Sequence, residues 1–167
     1  LDDDLFTLNA EHAIAFSQAY KEAGFKVPWV VNSHVNRLDP VMAKAMAEGG
    51  CKILKLGIES GSERVRREIL KRFMTDDDIL ETVRVADAVG LHSSGFVMVG
   101  LPYETHDERW QTVDLLARSP DTLVWQAGAL EQRGQHGEDR RRVALGRGRL
   151  AGGKPDLALG VRHAGER

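Results

Sequence analysis

Residues 53–70 read ILKLGIESGSERVRREIL, and this stretch decides the fold class. The first six residues form an apolar run interrupted only by Lys55 and Gly57. That run is too short for a globular helix and is bounded by a polar turn, the pattern of a buried strand. Glu59, Ser60, Gly61 and Ser62 make the turn, and Ser62 opens a helix carrying Val65, Ile69 and Leu70. The same alternation runs outward in both directions. Upstream, Asn9 caps a helix with Ala13, Phe16, Tyr20 and Ala23 on one face and Gly24 as its stop. A short strand follows at Trp29, Val30 and Val31. A second helix then starts at Asp39 and Pro40, buries Ala43, Met46 and Ala47, and stops at Gly49 and Gly50. Downstream, Thr75 and Asp78 form a capping box ahead of Ile79, Val83 and Ala86, with Asp76 and Asp77 complementing the helix dipole. Gly90 ends that helix, residues 95–99 (GFVMV) form a third strand, and Thr105 with Glu108 caps a last helix through Trp110, Val113 and Leu116.

Strands separated by helices of this length run parallel, because each crossover must return to the same end of the sheet. The class is α/β, either part of a (β/α) barrel or part of an open doubly wound sheet. In both, ligands gather where strands end and loops begin. The polar residues to weigh are therefore Asp2, Asp3 and Asp4 at the start, then Asn32, Ser33, His34 and Arg37 after the first strand. Glu59, Ser60, Gly61 and Ser62 follow the second, and Gly100, Leu101, Pro102, Tyr103 and Glu104 follow the third. Carboxylates suit an ammonium group and a ribose diol, an arginine suits a carboxylate, and glycines let backbone approach a flat ring. A small zwitterionic nucleoside fits that set. The plain reading of each is a helix cap or a turn. His34, His92 and His106 share no metal-ligand spacing, and neither GxGxxG nor a Walker motif is present.

The 167 residues carry a formal charge of −2, which argues against nucleic acid as a partner. The apolar runs fall far short of the roughly 20 residues that span a bilayer, and the acidic start lacks the form of a secretory signal. A cytoplasmic address, without membrane contact, is the expectation. One cysteine, Cys51, excludes an intrachain disulfide and a cysteine-only metal site. The chain starts with Leu and reads as a piece of a longer protein.

Three strings in this order and spacing, DDLFTLN (residues 3–9), LGIESGSERV (56–65) and FVMVGLPYET (96–105), resemble the radical S-adenosylmethionine (SAM) superfamily. Within it, they are most similar to the branch that joins a cobalamin-binding domain to a MiaB-like core barrel. The resemblance covers residues 1–118 and implies a fragment of a partial (β/α)6 TIM-like barrel, parallel strands alternating with helices. Such a barrel holds SAM and a [4Fe-4S] cluster at its mouth and generates a 5′-deoxyadenosyl radical, in some members with cobalamin. By that resemblance, Asp3 and Asp4 meet the methionine amino group and Glu59 meets the ribose, with Ser60, Gly61 and Ser62 shaping its loop. Val97, Met98, Val99 and Gly100 lie along the adenine, followed by Pro102 and Glu104, and Ser33 or Arg37 meets the methionine carboxylate. The family holds its cluster in a CxxxCxxC loop, which this sequence lacks; Cys51 lies ahead of a strand, away from the mouth. The implied first strand, most of the second and the last are absent too. The expectation is an inactive fragment that holds none of these cofactors stably. The alternative is a non-catalytic α/β module that binds a nucleoside or a protein.

Composition shifts near residue 118. Residues 119–167 hold nine basic and six acidic residues, against fourteen and nineteen in residues 1–118, together with nine of the 17 glycines and one aromatic, Trp125. So little apolar surface predicts an irregular or disordered Gly/Arg-rich tail outside the fold. It reads as a linker, as a basic arm around Arg140, Arg141 and Arg142, or as sequence from a shifted reading frame, which the Arg, Gly, Ala and Leu bias favours.

Overall fold

The computed structural model describes residues 5–119 and, beyond them, the backbone of Leu123–Ala129 and Gly146–Gly148. Four helices, α1 (Ala10–Glu22), α2 (Pro40–Glu48), α3 (Asp76–Ala88) and α4 (His106–Arg118), alternate with strands β1 (Trp29–Ser33), β2 (Cys51–Glu59), β3 (His92–Val99) and β4 (Leu123–Ala129). The sheet order is β1-β2-β3-β4, all parallel, and β5 (Gly146–Gly148) lies antiparallel on β4. This is the parallel α/β architecture that the sequence dictates.

Each helix starts where a cap residue satisfies its first amides. Asn9 Oδ1 accepts from the His12 amide at 3.0 Å, and Asp39 Oδ1 accepts from Val41 and Met42 at 2.8 and 2.9 Å. Thr75 with Asp78 and Thr105 with Glu108 form the expected capping boxes. The core forms where alternate strand residues meet the helices. Leu54, Leu56 and Ile58 are fully buried in one cluster with Met42, Met46, Ile79, Val83 and Leu115. Burying each such side chain contributes about 1.5–3 kcal/mol. The opposite face of β2 carries Lys55, Gly57 and Glu59, which are only half-buried.

Three local features differ from expectation. The strands are longer than expected, β1 at its C-terminal end, β3 at its N-terminal end and β2 at both, so that Cys51 is the first residue of β2 instead of preceding it. Residues 123–129, assigned above to the tail, pair in register with β3 from Ser93↔Leu123 to Val99↔Ala129. The apolar start Leu123, Val124, Trp125 suffices for a strand once a neighbouring edge supplies the hydrogen bonds, and composition averaged over 49 residues hides it. Gly146–Gly148, also assigned to the tail, pairs with β4 as β5, and residues 120–122, 130–145 and 149–167 lie outside the described residues. Finally, the helix opened by Ser62 widens into a π-helical turn at Val65–Ile69, closed by the Leu70 amide on the Val65 carbonyl at 3.0 Å. Val65 and Arg66 are both fully buried in this wide turn.

Candidate functional site

β2 ends in strain. Glu59 has φ of +68°, and the Ser60 amide folds back onto the Ile58 carbonyl at 2.9 Å, a three-residue turn that L side chains rarely adopt. The register with β3 slips here, from Gly57↔Phe96 to Glu59↔Val97, so the slip seats Glu59 beside the FVMVG string. The carboxylate lies 3.3 Å from Arg72 Nη2, and Arg72 Nη1 donates to the Gly57 carbonyl at 3.1 Å. A Cβ on Gly57 would lie 2.7 Å from Glu59 Oε1, so the missing side chain makes room for the pair.

The serines that follow are occupied by the fold. Arg66, fully buried, donates to the Ser60 carbonyl at 2.7 Å, the Met74 carbonyl at 3.1 Å and Asp76 Oδ1 at 2.7 Å. Gly61 presses against α4, where a Cβ would come within 2.3 Å of the Gln111 carbonyl and Thr112 Cα, and its amide donates to Thr112 Oγ1 at 2.7 Å. Ser62 Oγ donates to Glu108 Oε1 at 3.0 Å and accepts from the Val65 amide at 3.3 Å. Ser62 therefore caps the following helix, and Glu59 is released from that role.

On the loop after β3, Gly100 has φ of +81° and Tyr103 of +67°. Glu104 Oε2 accepts from the Gly100 and Leu101 amides at 2.8 and 3.2 Å. Its other oxygen, Oε1, is buried and has no hydrogen-bond partner among the described residues. Pro102 and Tyr103 are exposed. Strand alternation divides the FVMVG string: Val97 joins the helix-side core, while Phe96 and Met98 share the half-buried face of Gly57. Ser33, expected after the first strand, is the last residue of β1; it is buried and shares a 2.7 Å hydrogen bond with Thr7 Oγ1, while Arg37, on the segment that follows, is exposed. His34 is held below its ordinary value, first by burial and then by the Arg72 and Arg37 charges. Asp3 and Asp4 lie outside the described residues.

The structure thus brings Glu59, Gly100, Glu104 and Met98 to one end of the sheet, with Ser33 at the end of β1 and Arg37 on the segment after it. Sequence reasoning missed Arg72, Phe96 and Lys55. The last two sit on the half-buried sheet face beside Gly57, and alternation from Leu54 and Leu56 in β2 and from Val97 in β3 was the signal that could have found them. The donor set fits a nucleoside carrying an amine and a diol. Glu59 offers acceptors, Glu104 Oε1 offers a buried acceptor seeking an N–H, and Phe96 with Met98 offers apolar surface. An iron-sulfur cluster does not fit the residues present. Cys51 is buried, its thiol is pushed up to about 11 by burial, and it stands at the far end of β2 from Glu59, about 26 Å along the strand. Among the described residues no group of three His, Cys, Asp or Glu could hold a metal ion. None of the described helices is long and apolar enough to cross a membrane.

Comparison with known proteins agrees with this geometry. The family model of the radical SAM superfamily matches residues 3–116, and the chain belongs to that superfamily. It is 39% identical over 111 residues to an uncharacterized methyltransferase of Pyrococcus horikoshii, covering 66% of this chain and 24% of that protein. It is 31% identical over 104 residues to the cytidylyl-2-hydroxyethylphosphonate methyltransferase of Streptomyces wedmorensis, covering 61% and 19%. The chain therefore spans a quarter or less of the length of these curated relatives. Among solved structures it is similar in fold to the radical SAM methyltransferase TsrM from Kitasatospora setae, with a TM-score of 0.61 at 19% identity over 70% of this chain and 24% of that one. The cobalamin-dependent SAM radical enzyme OxsB is similar at a TM-score of 0.59 and 17% identity, over 70% and 18%.

Proposed function

We propose that this chain supplies the nucleoside-binding side of a SAM cradle in a radical SAM enzyme whose whole-length reaction is methyl transfer. The observation that carries this reading is the strained turn at Glu59, which holds a carboxylate beside the end of β3 at a cost of about 1–3 kcal/mol. Glu59 receives the ribose diol, Glu104 Oε1 an N–H of the ligand, and Met98 and Gly100, with Phe96, line the ring. Val97 and Val99 back that strand. Ser60, Gly61 and Ser62 shape the loop, and Pro102 fixes the turn before Glu104. Asp3 and Asp4 take the amino group and Arg37 the methionine carboxylate, whereas Ser33 serves by packing on Thr7. Methyl transfer as the reaction, with cobalamin as a further cofactor, is supported by the names of the relatives and of the solved structures.

A [4Fe-4S] cluster would supply the electron that cleaves SAM, and the single cysteine of the sequence, Cys51, cannot provide the thiolates to hold it. The chain alone is therefore catalytically inert and binds SAM weakly. Titrating SAM into the isotopically labelled chain should shift the amide resonances of Glu59 and of residues 96–104. Glu59→Gln, which keeps shape and one acceptor, should weaken that response by ten- to a hundredfold, as expected for losing a charge-assisted hydrogen bond of about 1.5–3 kcal/mol. Shifts confined to other surfaces, or an unchanged response in Glu59→Gln, would remove Glu59 from the site and favour the non-catalytic module.

A further inference from the structure

We propose that Glu108 is the positioning residue of this cradle, a single carboxylate that locks the Glu59 loop to the Gly100 loop so that the two ligand-facing turns move as one body. The inference rests on the cradle reading for its purpose and on geometry for its existence. A capping box needs only the Thr105 amide, which donates to Glu108 Oε2 at 2.8 Å. Glu108 accepts four further hydrogen bonds. Thr105 Oγ1 reaches Oε2 at 2.9 Å, Ser62 Oγ reaches Oε1 at 3.0 Å, and Arg64 grips both oxygens, from Nε at 2.7 Å and from Nη2 at 2.9 Å. Three of the five thus come from the segment after β2, and Arg64 Nη2 extends the tie to the Tyr103 carbonyl at 2.9 Å. Glu108 is 7% exposed, so these bonds are not in ready exchange with water. Ser62 is three residues from Glu59, and Thr105 is five from Gly100. A ligand held between two loops needs their separation fixed to a fraction of an ångström, and a bidentate, multiply bonded carboxylate does that where a single hydrogen bond does not.

Amide hydrogen exchange, read residue by residue in the full chain at neutral pH, tests the lock directly. Glu108→Gln should speed exchange by about tenfold on both loops, at Gly61, Ser62 and Val65 as well as at Thr105 and the first turn of α4. Acceleration confined to Thr105 and α4 would leave Glu108 an ordinary cap and overturn the proposal. Ser62→Ala, which removes one bond from the far side, keeps the test decisive if Glu108→Gln folds poorly. It should speed exchange at Thr105, on the opposite loop, and no change there would also overturn the lock. A SAM titration of the same samples separates this from the cradle reading. Wild-type chain that shows no shift at Glu59 or Gly100 refutes the cradle and leaves the exchange result to judge the lock. A cradle response that weakens in Glu108→Gln, although Glu108 touches none of the proposed ligand atoms, is the signature of positioning.

Discussion

Lowering the pH should dismantle the contact at Glu108 along a curve that its surroundings set. The Arg64 guanidinium holds this carboxylate down at about 2, against an ordinary value of 4.5, with the Thr105 amide and the Thr105 and Ser62 hydroxyls adding to it. A depressed carboxylate stabilises the fold above its unfolded value, and that contribution drains away as pH falls from about 4.5 towards 2. The full difference is worth about 3 kcal/mol. Arg64 is 41% exposed, so screening reduces the expected contribution to about 2 kcal/mol. Urea unfolding of wild-type chain and Glu108→Gln at a series of pH values between 6 and 2.5 measures it, because other carboxylates cancel in the difference. The wild type should be more stable by about 2 kcal/mol at pH 6, and the gap should shrink steadily below pH 4.5. A gap that stays constant down to pH 2.5, or that widens, would refute the account of the charge at Glu108.

Other perturbations have equally definite outcomes. Gly61→Ala drives a methyl group into the backbone of α4, where the gap is 2.3 Å, and should destabilise the chain by about 1–3 kcal/mol in thermal melting. Arg66→Met strands the Ser60 and Met74 carbonyls and Asp76 and should cost about 3–5 kcal/mol in urea unfolding. Glu59→Gly relieves the positive φ, gaining about 1–3 kcal/mol, and loses an ion pair to a partly exposed Arg72, worth about 0–1 kcal/mol, so its melting temperature should hold or rise while the SAM response disappears. Cys51, with its thiol pushed up to about 11 and its side chain buried, should resist iodoacetamide at pH 8 until the chain is unfolded, and anaerobic incubation with iron and sulfide should give no cluster absorption.

The parallel α/β plan and the helix starts were legible because they follow from local rules. Asn9, Asp39, Thr75 and Thr105 cap the helices as their side chains require, and period-two burial in β2 separates Leu54 and Leu56 from Lys55. The candidate site was legible as positions at strand ends, but its internal wiring was not. Nothing in the local sequence tells Ser62 that its partner is Glu108, 46 residues on, or that Arg66 lies fully buried within a helix rich in charge. Such pairings depend on how far α4 leans onto the loop, a tertiary quantity fixed by the absence of a side chain at Gly61. The strand at 123–129 escaped for a related reason, since its hydrogen bonds are supplied by β3.

The π-helical turn at Val65–Ile69 makes chain length itself a determinant of this loop. Such a turn is what one inserted residue leaves behind when the helix around it is retained. Deleting a single residue between positions 67 and 69 would let the segment rewind to an ordinary turn, rotating one flank against the other by about 100°. Arg66 would then be unable to face Ser60 and Asp76 at once. A gap of one position here is therefore a more severe change than most substitutions, and relatives that carry it must tether the Glu59 turn by other means.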